Sequence, residues 1–391
     1  MKITKVDIFE FIAENKPFFR VIGCRIYTDE GIYGDGEAAL SYGVGASAAF
    51  GMLKDLAKLI IGMDPLETEP IWHKFHRSTF WGQAGGPVVF AGISGIDIAL
   101  WDIKGKFYGQ PIWKLLGGKF RNDLRCYASQ IHQGFGPEHE NRHTVEQLVD
   151  ISKKVVAEGY DALKIDFMCF NETGAPYTYE DRKCLLTPHH LGTFKERLAA
   201  VREAVGPSVD IIIENHSNLD ALSAIQVARM AEPYNILYFE EPNTPSVKTS
   251  KYICENINMP LANGERIFSR WQYMPYFENM CLQVAQPDIG TCGGFSEAKK
   301  ICDIANVYDV AIQAHACGSP ISSTAALHLE AAIPNFIIHE HHLCFLHPYN
   351  KAFCINDYQP VNGRMAIPNL PGLGNEWTED AMAKAIKTTV Q

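Results

Sequence analysis

VDIIIENH, residues 209–216, is a short apolar run that ends in polar residues, and the same pattern recurs further along the chain. The runs that follow it are ILYFEEP (236–242), MPLANGE (259–265), LQVAQPD (282–288) and VAIQAH (310–315). Stretches with helical periodicity separate them. Strands that alternate with helices in this way indicate βα units and a parallel sheet.

Similar runs extend the pattern in both directions. LRCYAS (124–129) and DALKID (161–166) precede these five runs, and NFIIHE (335–340) follows them. Eight strands over roughly 215 residues match the size of a closed barrel of parallel strands surrounded by helices. The sequence therefore predicts an α/β fold built on a TIM-like barrel.

The polar residues that end the later runs recur at intervals of about 25 positions, the length of one βα unit. They are Glu214, Glu240, Glu265, Asp288, His315 and Glu340. Barrel enzymes carry their chemistry at the C-terminal ends of the strands. We therefore expect these six side chains to meet at one mouth of the barrel.

One interval is much longer than the others. Between Lys164 and Glu214 the chain includes the polar stretch NETGAPYTYEDRKCLLTPHH, residues 171–190. Unstructured loops of this length are uncommon in compact domains unless they are functional. We expect this segment to form a lid over the site.

The residues before the barrel predict a separate α+β unit. Residues 1–10, 18–27 and 34–37 have the alternation and glycine content of short antiparallel strands with turns. Helical periodicity follows at 46–61 and at 92–108.

Composition excludes several classes of protein. The chain has 391 residues, 35 Lys and Arg against 45 Asp and Glu, and a net charge of −10, which disfavours nucleic acid or an anionic membrane as partner. It shows no signal peptide and no apolar run of membrane-spanning length. The eleven cysteines form no C-x-x-C pair, which predicts reduced, mostly buried thiols in a cytoplasmic protein rather than a catalytic cysteine.

Three acids on consecutive strands point to a metal. Glu214, Glu240 and Glu265 would repel one another if buried together without a cation. An all-oxygen ligand set suits Mg²⁺ or Mn²⁺, whereas Zn²⁺ prefers His and Cys. We therefore expect these glutamates to bind Mg²⁺.

The remaining strand-end residues predict proton transfer beside that metal. Asp288 can orient one ring nitrogen of His315 and raise the basicity of the other, as a general base requires. His216, two residues beyond Glu214, shares its face on an ideal strand and is either a fourth metal ligand or, as we prefer, a proton donor to a leaving group. Because three carboxylates and Mg²⁺ sum to −1, an anionic substrate needs a further cation, which Lys164 can supply.

Several motifs together carry a resemblance to a known family. They are Glu240-Glu241-Pro242, Gly264-Glu265-Arg266, Gln286-Pro287-Asp288 with Gly293-Gly294, and Pro371-Gly372-Leu373-Gly374. With them the sequence resembles the mandelate racemase branch of the enolase superfamily, and within it the acid-sugar dehydratases. The match covers nearly the whole chain.

The resemblance implies an architecture and an assembly. It implies an α+β capping domain at 1–122, a (β/α)₇β barrel at 123–358 and a C-terminal segment at 359–391 that returns to complete the cap. It also implies a homo-oligomer.

The resemblance further implies an activity. The protein would be a Mg²⁺-dependent dehydratase of an acid sugar, an aldonate or aldarate. The His315–Asp288 pair would remove the proton next to the substrate carboxylate, and Glu340 would hydrogen-bond that carboxylate as charge builds on it. His216 would protonate the β-hydroxyl that leaves, giving a 2-keto-3-deoxy acid.

Two departures from the family pattern bear on this activity. Mandelate racemase-like enzymes carry Lys-x-Lys on the second strand, the second Lys being a base, but here Asp166 stands at that position after Lys164. Racemisation needs bases on both faces of the carbon, so the single firm base favours elimination. Most relatives have Asp where this chain has Glu214. The longer side chain would shift the metal or His216.

Other functions compete with this one. An epimerase, racemase or cycloisomerase would use Asp166, Tyr177 or Tyr179 as a second base. A silent binding or regulatory homologue would not need the complete set of catalytic residues.

A metal-dependent hydrolase would want histidine ligands, but we interpret His339, His341 and His342 as packing or substrate contacts. Arg20, Tyr42 and Trp81 are candidates for substrate contacts from the cap.

Overall fold

An antiparallel sheet and a barrel of parallel strands make up the described chain. The structure is a computed structural model and describes residues 1–13 and 19–391. Phe18, which belongs to the predicted strand at 18–27, lies outside the described residues.

The antiparallel sheet forms the cap. Its first three strands are β1 (Ile3–Ile12), β2 (Arg20–Thr28) and β3 (Tyr33–Glu37), and the last strand of the chain pairs with the free edge of β1. The strands predicted near 1–10, 18–27 and 34–37 are therefore present. Four helices accompany the sheet: α1 (Ala46–Ala57), α2 (Thr68–Ser78), α3 (Pro87–Tyr108) and α4 (Ile112–Leu115).

Helix α3 packs directly on β3 because that strand is rich in glycine. A Cβ atom at Gly34 would lie 2.1 Å from the carbonyl oxygen of Ala99, and one at Gly36 would lie 1.9 Å from that of Gly95. The helix begins with Pro87 in its first turn, and Gly109 ends it in the left-handed region at φ 61°.

Eight parallel strands form the barrel, as the sequence predicted. They are β4 (Asp123–Ser129), β5 (Ala162–Ile165), β6 (Asp210–Glu214), β7 (Ile236–Glu240), β8 (Leu261–Asn263), β9 (Val284–Ala285), β10 (Ala311–Ile312) and β11 (His339–His342). One long helix lies between each pair of successive strands. These helices are α5 (Val145–Ala157), α7 (Pro188–Val205), α8 (Ala221–Ala231), α9 (Val247–Cys254), α10 (Ser269–Glu278), α11 (Gly294–Val307) and α12 (Pro320–Ala331).

The sheet curls so that its last strand returns to its first. β11 pairs in parallel with β4, with Glu340 opposite Tyr127. On the other side, the N–H of Ile312 in β10 donates to the carbonyl of Asn335 at 2.8 Å, and the N–H of Ile337 donates back to Ile312 at 2.9 Å. These two hydrogen bonds, made just before β11 begins, join the seventh and eighth strands.

The predicted lid segment, residues 171–190, is held against the barrel. It contains a short helix, α6 (Tyr179–Arg182), and its last residues begin α7. The N–H of Leu186 donates to the side chain of Gln226 on α8 at 2.7 Å, and the hydroxyl of Ser223 on α8 donates to the carbonyl of Cys184 at 2.5 Å. The segment is thus packed against α8 rather than being an open loop. Its function as a lid stays a prediction.

The C-terminal segment runs from the barrel back to the cap. After α13 (Pro348–Lys351) come β12 (Arg364–Ala366), which pairs with β4, then α14 (Glu379–Lys384) and β13 (Ile386–Val390), which pairs with β1. The N–H of Leu373 donates to Asp102 on α3 at 2.8 Å, and that of Trp377 donates to Asp35 on β3 at 3.0 Å. The return to the cap is as predicted, and the domain boundaries at 122 and 358 stay a prediction.

Two further observations concern membrane spans and cysteines. Among the described residues, no helix is both long and apolar enough to cross a membrane. All eleven cysteines are free thiols, and most of them are buried.

Candidate active site

The strand-end residues predicted to meet do lie at one end of the barrel. Glu214 and Glu240 are the last residues of β6 and β7, and Glu340 lies in β11. The loops directly after β8, β9 and β10 carry Glu265, Asp288 and His315. The barrel topology thus brings residues that are far apart in sequence to one mouth.

Three glutamates form a cluster that could hold a metal ion. Glu214, Glu240 and Glu265 each offer a carboxylate oxygen, and the three atoms lie within 4.8 Å of one another. Burial, together with the negative charges of Glu214 and Glu340, raises the pKa of Glu240 to about 8 even though a lysine is close by. Burial also acts on Glu265, but His315 and Arg266 outweigh it and lower its pKa to about 2.

Lys164, on β5, is the cation at the centre of this mouth. Its Nζ lies 2.5 Å from Oε1 of Glu240, 2.9 Å from Oε1 of Glu340 and 3.4 Å from Oε1 of Glu214. Burial alone would lower its pKa, but these carboxylates raise the pKa well above its ordinary value. Lys164 is therefore a buried ammonium that offsets part of the negative charge at the mouth.

Two glutamines orient the inner glutamates. Nε2 of Gln130, just after β4, donates to Oε2 of Glu214 at 2.5 Å, and Nε2 of Gln286 donates to Oε2 of Glu240 at 2.7 Å. Each of these glutamates therefore has one carboxylate oxygen hydrogen-bonded to the side-chain amide of a glutamine. The outer glutamate, Glu265, is instead bonded to the guanidinium of Arg266.

His315 and Asp288 form the predicted pair. Nδ1 of His315 lies 2.7 Å from Oδ2 of Asp288, whose other oxygen accepts the N–H of Gly290 at 2.7 Å. The second ring nitrogen, Nε2, lies 3.2 Å from Glu265. Burial would lower the pKa of His315, but the negative charges of Glu265 and Asp288 raise it well above the ordinary value.

His216 occupies the corresponding position on the other side of the glutamates. Its Nε2 lies 3.1 Å from Oε1 of Glu214, and its Nδ1 lies 3.7 Å from Oδ2 of Asp166. Two histidines thus flank the cluster, each with Nδ1 towards an aspartate and Nε2 towards a glutamate.

The position of His216 does not follow from strand alternation. β6 ends at Glu214, and His216 and Ser217 are in the left-handed region at φ 46° and 58°. A turn therefore brings the ring back over the strand end. The predicted proximity is observed, although the predicted reason for it was wrong.

Both carboxylate oxygens of Glu340 are engaged. Oε1 accepts the hydroxyl of Ser129 at 2.7 Å as well as Lys164, and Oε2 accepts the N–H of Ala316 at 3.1 Å. Burial opposes its ionisation, but Lys164 and His315 hold the pKa of Glu340 well below its usual range. The predicted hydrogen bond to a substrate carboxylate stays a prediction.

The histidines around Glu340 lie on different faces of β11, because successive side chains of a strand point to opposite faces. Nδ1 of His339 pairs with Glu330 of α12 at 2.6 Å, and Nδ1 of His341 contacts the hydroxyl of Tyr160 at 2.7 Å. These two rings therefore pack between the barrel and its surrounding helices. His342, in contrast, lies near the mouth.

The other candidates are exposed or have partners of their own. Tyr177 packs edge-on against His190, and Tyr179 is exposed. In the cap, Arg20 pairs with Glu10, and Tyr42 and Trp81 are largely exposed. Their contacts with substrate stay predictions.

Several residues at the mouth were missed from the sequence. Ser129 ends β4 and Gln130 follows it directly, and the rule applied to the later strands would have indicated both. Buried His132 accepts the N–H of Asp166 at Nδ1, and its Nε2 has no partner among the residues that the structure describes. Burial lowers the pKa of His132 to about 3, so the ring is neutral and accepts the Asp166 N–H through its unprotonated Nδ1.

This architecture and this set of side chains define an enzyme class. Residues 147–381 match the family model described as enolase C-terminal domain-like, and residues 18–117 match that of the mandelate racemase/muconate lactonizing enzyme N-terminal domain. The chain belongs to the mandelate racemase/muconate lactonizing enzyme family of the enolase superfamily, as its motifs indicated.

Individual relatives agree with this assignment over nearly the whole chain. The chain is 30% identical to a D-galactonate dehydratase of Pectobacterium atrosepticum, covering 99% of this chain and 95% of the relative. It is 31% identical to a D-galactonate dehydratase of Xanthomonas oryzae pv. oryzae, covering 98% and 94%. A solved structure, an enolase superfamily member from Salmonella Typhimurium, superposes with a TM-score of 0.97 at 49% identity and 100% coverage of both chains.

Proposed function

We propose that the protein is a Mg²⁺-dependent dehydratase of an acid sugar. It would remove the proton next to the carboxylate of an aldonate or aldarate and eliminate the β-hydroxyl, giving a 2-keto-3-deoxy acid. The observation that carries this proposal is the placement of two Asp–His pairs on opposite sides of one glutamate cluster. The names of the curated relatives support the choice of acid sugars.

The donor set fits a hard divalent cation. Glu214, Glu240 and Glu265 offer three carboxylate oxygens within 4.8 Å of one another, and Mg²⁺ takes oxygen ligands with positions left for water and substrate. When bound, the ion would act as a Lewis acid that stabilises negative charge on the substrate carboxylate. Mn²⁺ shares these preferences and could replace it.

His315 is the proposed base. Asp288 holds Nδ1 of His315 at 2.7 Å, so Nε2 is the atom that receives the proton, and this nitrogen faces the glutamate cluster. A cation bound to Glu265 would weaken the attraction that raises the pKa of this ring. His216, on the far side of the same cluster, is then placed to donate a proton to the departing hydroxyl.

Lys164 is the proposed partner of the substrate carboxylate. A proton beside a carboxylate is very weakly acidic, so its removal needs positive charge close to the oxygen atoms where negative charge develops. The Lys164 ammonium is buried, permanently charged and in contact with Glu340. If the ammonium turns towards substrate, Glu340 loses its main counter-charge and its pKa rises. The protonated carboxyl group of Glu340 would then donate a hydrogen bond to the substrate carboxylate.

Epimerisation or cycloisomerisation is less well supported. Oδ1 of Asp166 accepts the N–H of Met168 at 2.9 Å and the amide of Asn215 at 3.3 Å, and its other oxygen faces His216. Asp166 is therefore engaged in holding His216 rather than free to act as a second base. The ring of Tyr177 packs edge-on against His190, and Tyr179 is exposed, so neither tyrosine is favoured as the second base.

The proposal is tested by incubating the protein with Mg²⁺ and a panel of aldonates and aldarates and detecting 2-keto-3-deoxy product. For the substrate that turns over, we expect His315→Asn to lower kcat by about 10²- to 10⁴-fold. His216→Asn should lower dehydration similarly but still exchange the α-hydrogen for solvent deuterium, because its base is intact.

Exposed His73 provides a matched control, and His73→Asn should behave as the unmodified protein. Normal turnover by His315→Asn would contradict the assignment of the base. Loss of deuterium exchange in a folded His216→Asn variant would contradict the division of roles between the two histidines.

A further inference from the structure

Three soft ligands lie together beside the candidate active site, outside the glutamate cluster. Cys317, His342 and Cys344 each offer one ligand atom, and the three atoms lie within 4.8 Å of one another. Cys317 follows β10, His342 ends β11, and Cys344 lies in the short 3-10 turn after it. The cluster thus joins the ends of the two barrel strands that carry His315 and Glu340.

The two thiols contact each other directly. A hydrogen bond between the thiols of Cys317 and Cys344, together with burial, raises the pKa of Cys317 well above its ordinary value. Cys344 is buried, whereas Cys317 and His342 are half-buried, so the cluster is accessible from one side. The pair of thiols therefore lies at a partly open position.

His342 is held against the same turn. Its Nδ1 accepts the N–H of Cys344 at 3.1 Å, which makes the imidazole the N-cap of the 3-10 turn. A metal ion bound through Nδ1 would exchange this hydrogen bond for a metal–nitrogen bond. The ring needs no large displacement to become a ligand.

The ligand atoms match the preferences of a soft or borderline ion. Zn²⁺ binds thiolate sulfur at about 2.3 Å and imidazole nitrogen at about 2.0–2.1 Å in a tetrahedron. Ligand atoms already within 4.8 Å of one another need only small side-chain rotations to surround such an ion. Mg²⁺ prefers oxygen ligands, so ligand softness separates this cluster from the glutamates.

We propose that Cys317, His342 and Cys344 form a second metal site, which binds one soft divalent ion such as Zn²⁺ and leaves one coordination position open. Binding releases the two thiol protons, so one ion and two thiolates add no net charge to the mouth. An ion there would tie the ends of β10 and β11 to each other. Neither the glutamate cluster nor the proposed dehydration needs this site.

The test is a titration of the full-length protein, reduced with a phosphine and saturated with Mg²⁺, with Cd²⁺. Cadmium–thiolate bonds absorb in the near ultraviolet, whereas cadmium–carboxylate bonds do not. We expect the absorbance to saturate at one Cd²⁺ per chain and to be lost in Cys317→Ser. Exposed Cys184 gives the matched control, and Cys184→Ser should leave the titration unchanged.

A third variant covers the case in which replacing a thiol disturbs folding. His342→Asn removes the imidazole but keeps a side chain that can cap the 3-10 turn. Because even the loss of residues that support a ligand weakens metal affinity by about 10- to 100-fold, loss of this ligand should weaken Cd²⁺ binding by about tenfold or more. An unchanged absorbance and stoichiometry in Cys317→Ser, or unchanged affinity in His342→Asn, would overturn the proposal. The outcome is independent of dehydratase activity.

Discussion

The carboxylate of Glu37 accepts hydrogen bonds from both the backbone N–H and the hydroxyl of Ser319, at 3.0 and 2.6 Å. Glu37 is the last residue of β3 in the cap, and Ser319 is the N-cap of barrel helix α12. Burial outweighs these hydrogen bonds and raises the pKa of Glu37 to about 7. The contact fixes the cap to the loop that carries His315.

Glu37→Ala should therefore destabilise the protein. The substitution leaves the N–H and hydroxyl of Ser319 and the N–H of Ser322 without their acceptor inside the protein. We expect the free energy of unfolding to fall by about 2–4 kcal/mol, because unsatisfied buried donors cost about 1–3 kcal/mol each and part of the loss is relieved by water. Urea denaturation measures the change.

Glu203, exposed on α7, is the matched control for this measurement. Glu203→Ala should change the free energy of unfolding by no more than about 0.5 kcal/mol. If the two variants unfolded at the same urea concentration, the contact between Glu37 and Ser319 would not contribute to stability.

Lys164→Met should make stability depend on metal. Removing the ammonium leaves Glu214, Glu240 and Glu340 without their shared counter-charge, and breaking a buried ion pair from one side costs about 3–5 kcal/mol. A divalent cation then becomes the main compensating charge. In thermal denaturation, Mg²⁺ should therefore raise the Tm of Lys164→Met more than that of the unmodified protein.

Removal of metal from the unmodified protein should change its activity but not its thermal stability. Because Lys164 and Arg266 already pair with the glutamates, chelation with EDTA should abolish turnover yet leave the Tm nearly unchanged. The exposed residue Lys153 supplies the control, and Lys153→Met should show the same small Mg²⁺ effect as the unmodified protein. An equal Mg²⁺ effect in Lys164→Met would argue that Lys164 does not balance the cluster.

Asp288→Asn should impair the base while leaving it in place. The amide can keep contact with Nδ1 of His315 and the N–H of Gly290, but it no longer stabilises a protonated ring and can favour the wrong tautomer. We expect kcat for the dehydrated substrate to fall by about 10²- to 10⁴-fold. Mg²⁺ affinity, measured by calorimetry, should change little, since Asp288 is not one of the three clustered glutamates.

His328 should make the protein sensitive to acid. Nδ1 of this buried ring accepts the N–H of Trp113 at 3.2 Å, and Nε2 lies 2.9 Å from the carbonyl of Leu373. Burial lowers its pKa to about 4. Between about pH 6.5 and 4 the unfolded chain therefore takes up a proton that the folded protein does not, and the free energy of unfolding should fall as the pH falls.

A comparison of variants isolates this contribution from those of other titrating groups. His328→Gln should be less stable at pH 7.5, where it loses the fit of the ring, but its stability should decline less steeply below pH 6.5. His73→Gln, at an exposed position of α2, should retain the full decline. If the free energy of unfolding fell equally with pH in His328→Gln and in the unmodified protein, His328 would not contribute to the acid sensitivity.

The barrel and the mouth residues were predictable because their signal is local and repeated. Each apolar run supplied one strand, and the polar residue ending each run marked the mouth, from Glu214 to Glu340. Asp288 and His315 were paired correctly because adjacent parallel strands place equivalent positions side by side.

Other parts of the site depend on contacts that no local pattern reveals. Gln130 reaches Glu214 from a strand with which β6 does not pair, and His216 is placed by a turn with positive φ rather than by strand alternation. The thiols of Cys317 and Cys344 meet only because β10 and β11 are neighbours in the closed barrel. Packing of the 171–190 segment on α8 likewise depends on tertiary contacts.

Closure of the barrel sets the order in which the site can assemble during folding. Ser129 and Glu340, which hydrogen-bond across β4 and β11, are separated by 211 positions in the chain. Contacts of such long range form slowly, because closing the intervening chain costs conformational entropy before the contact stabilises the structure. We therefore expect the contact between Glu340 and Lys164 to form late in folding, so recovery of activity after dilution from denaturant should lag behind recovery of helical circular dichroism.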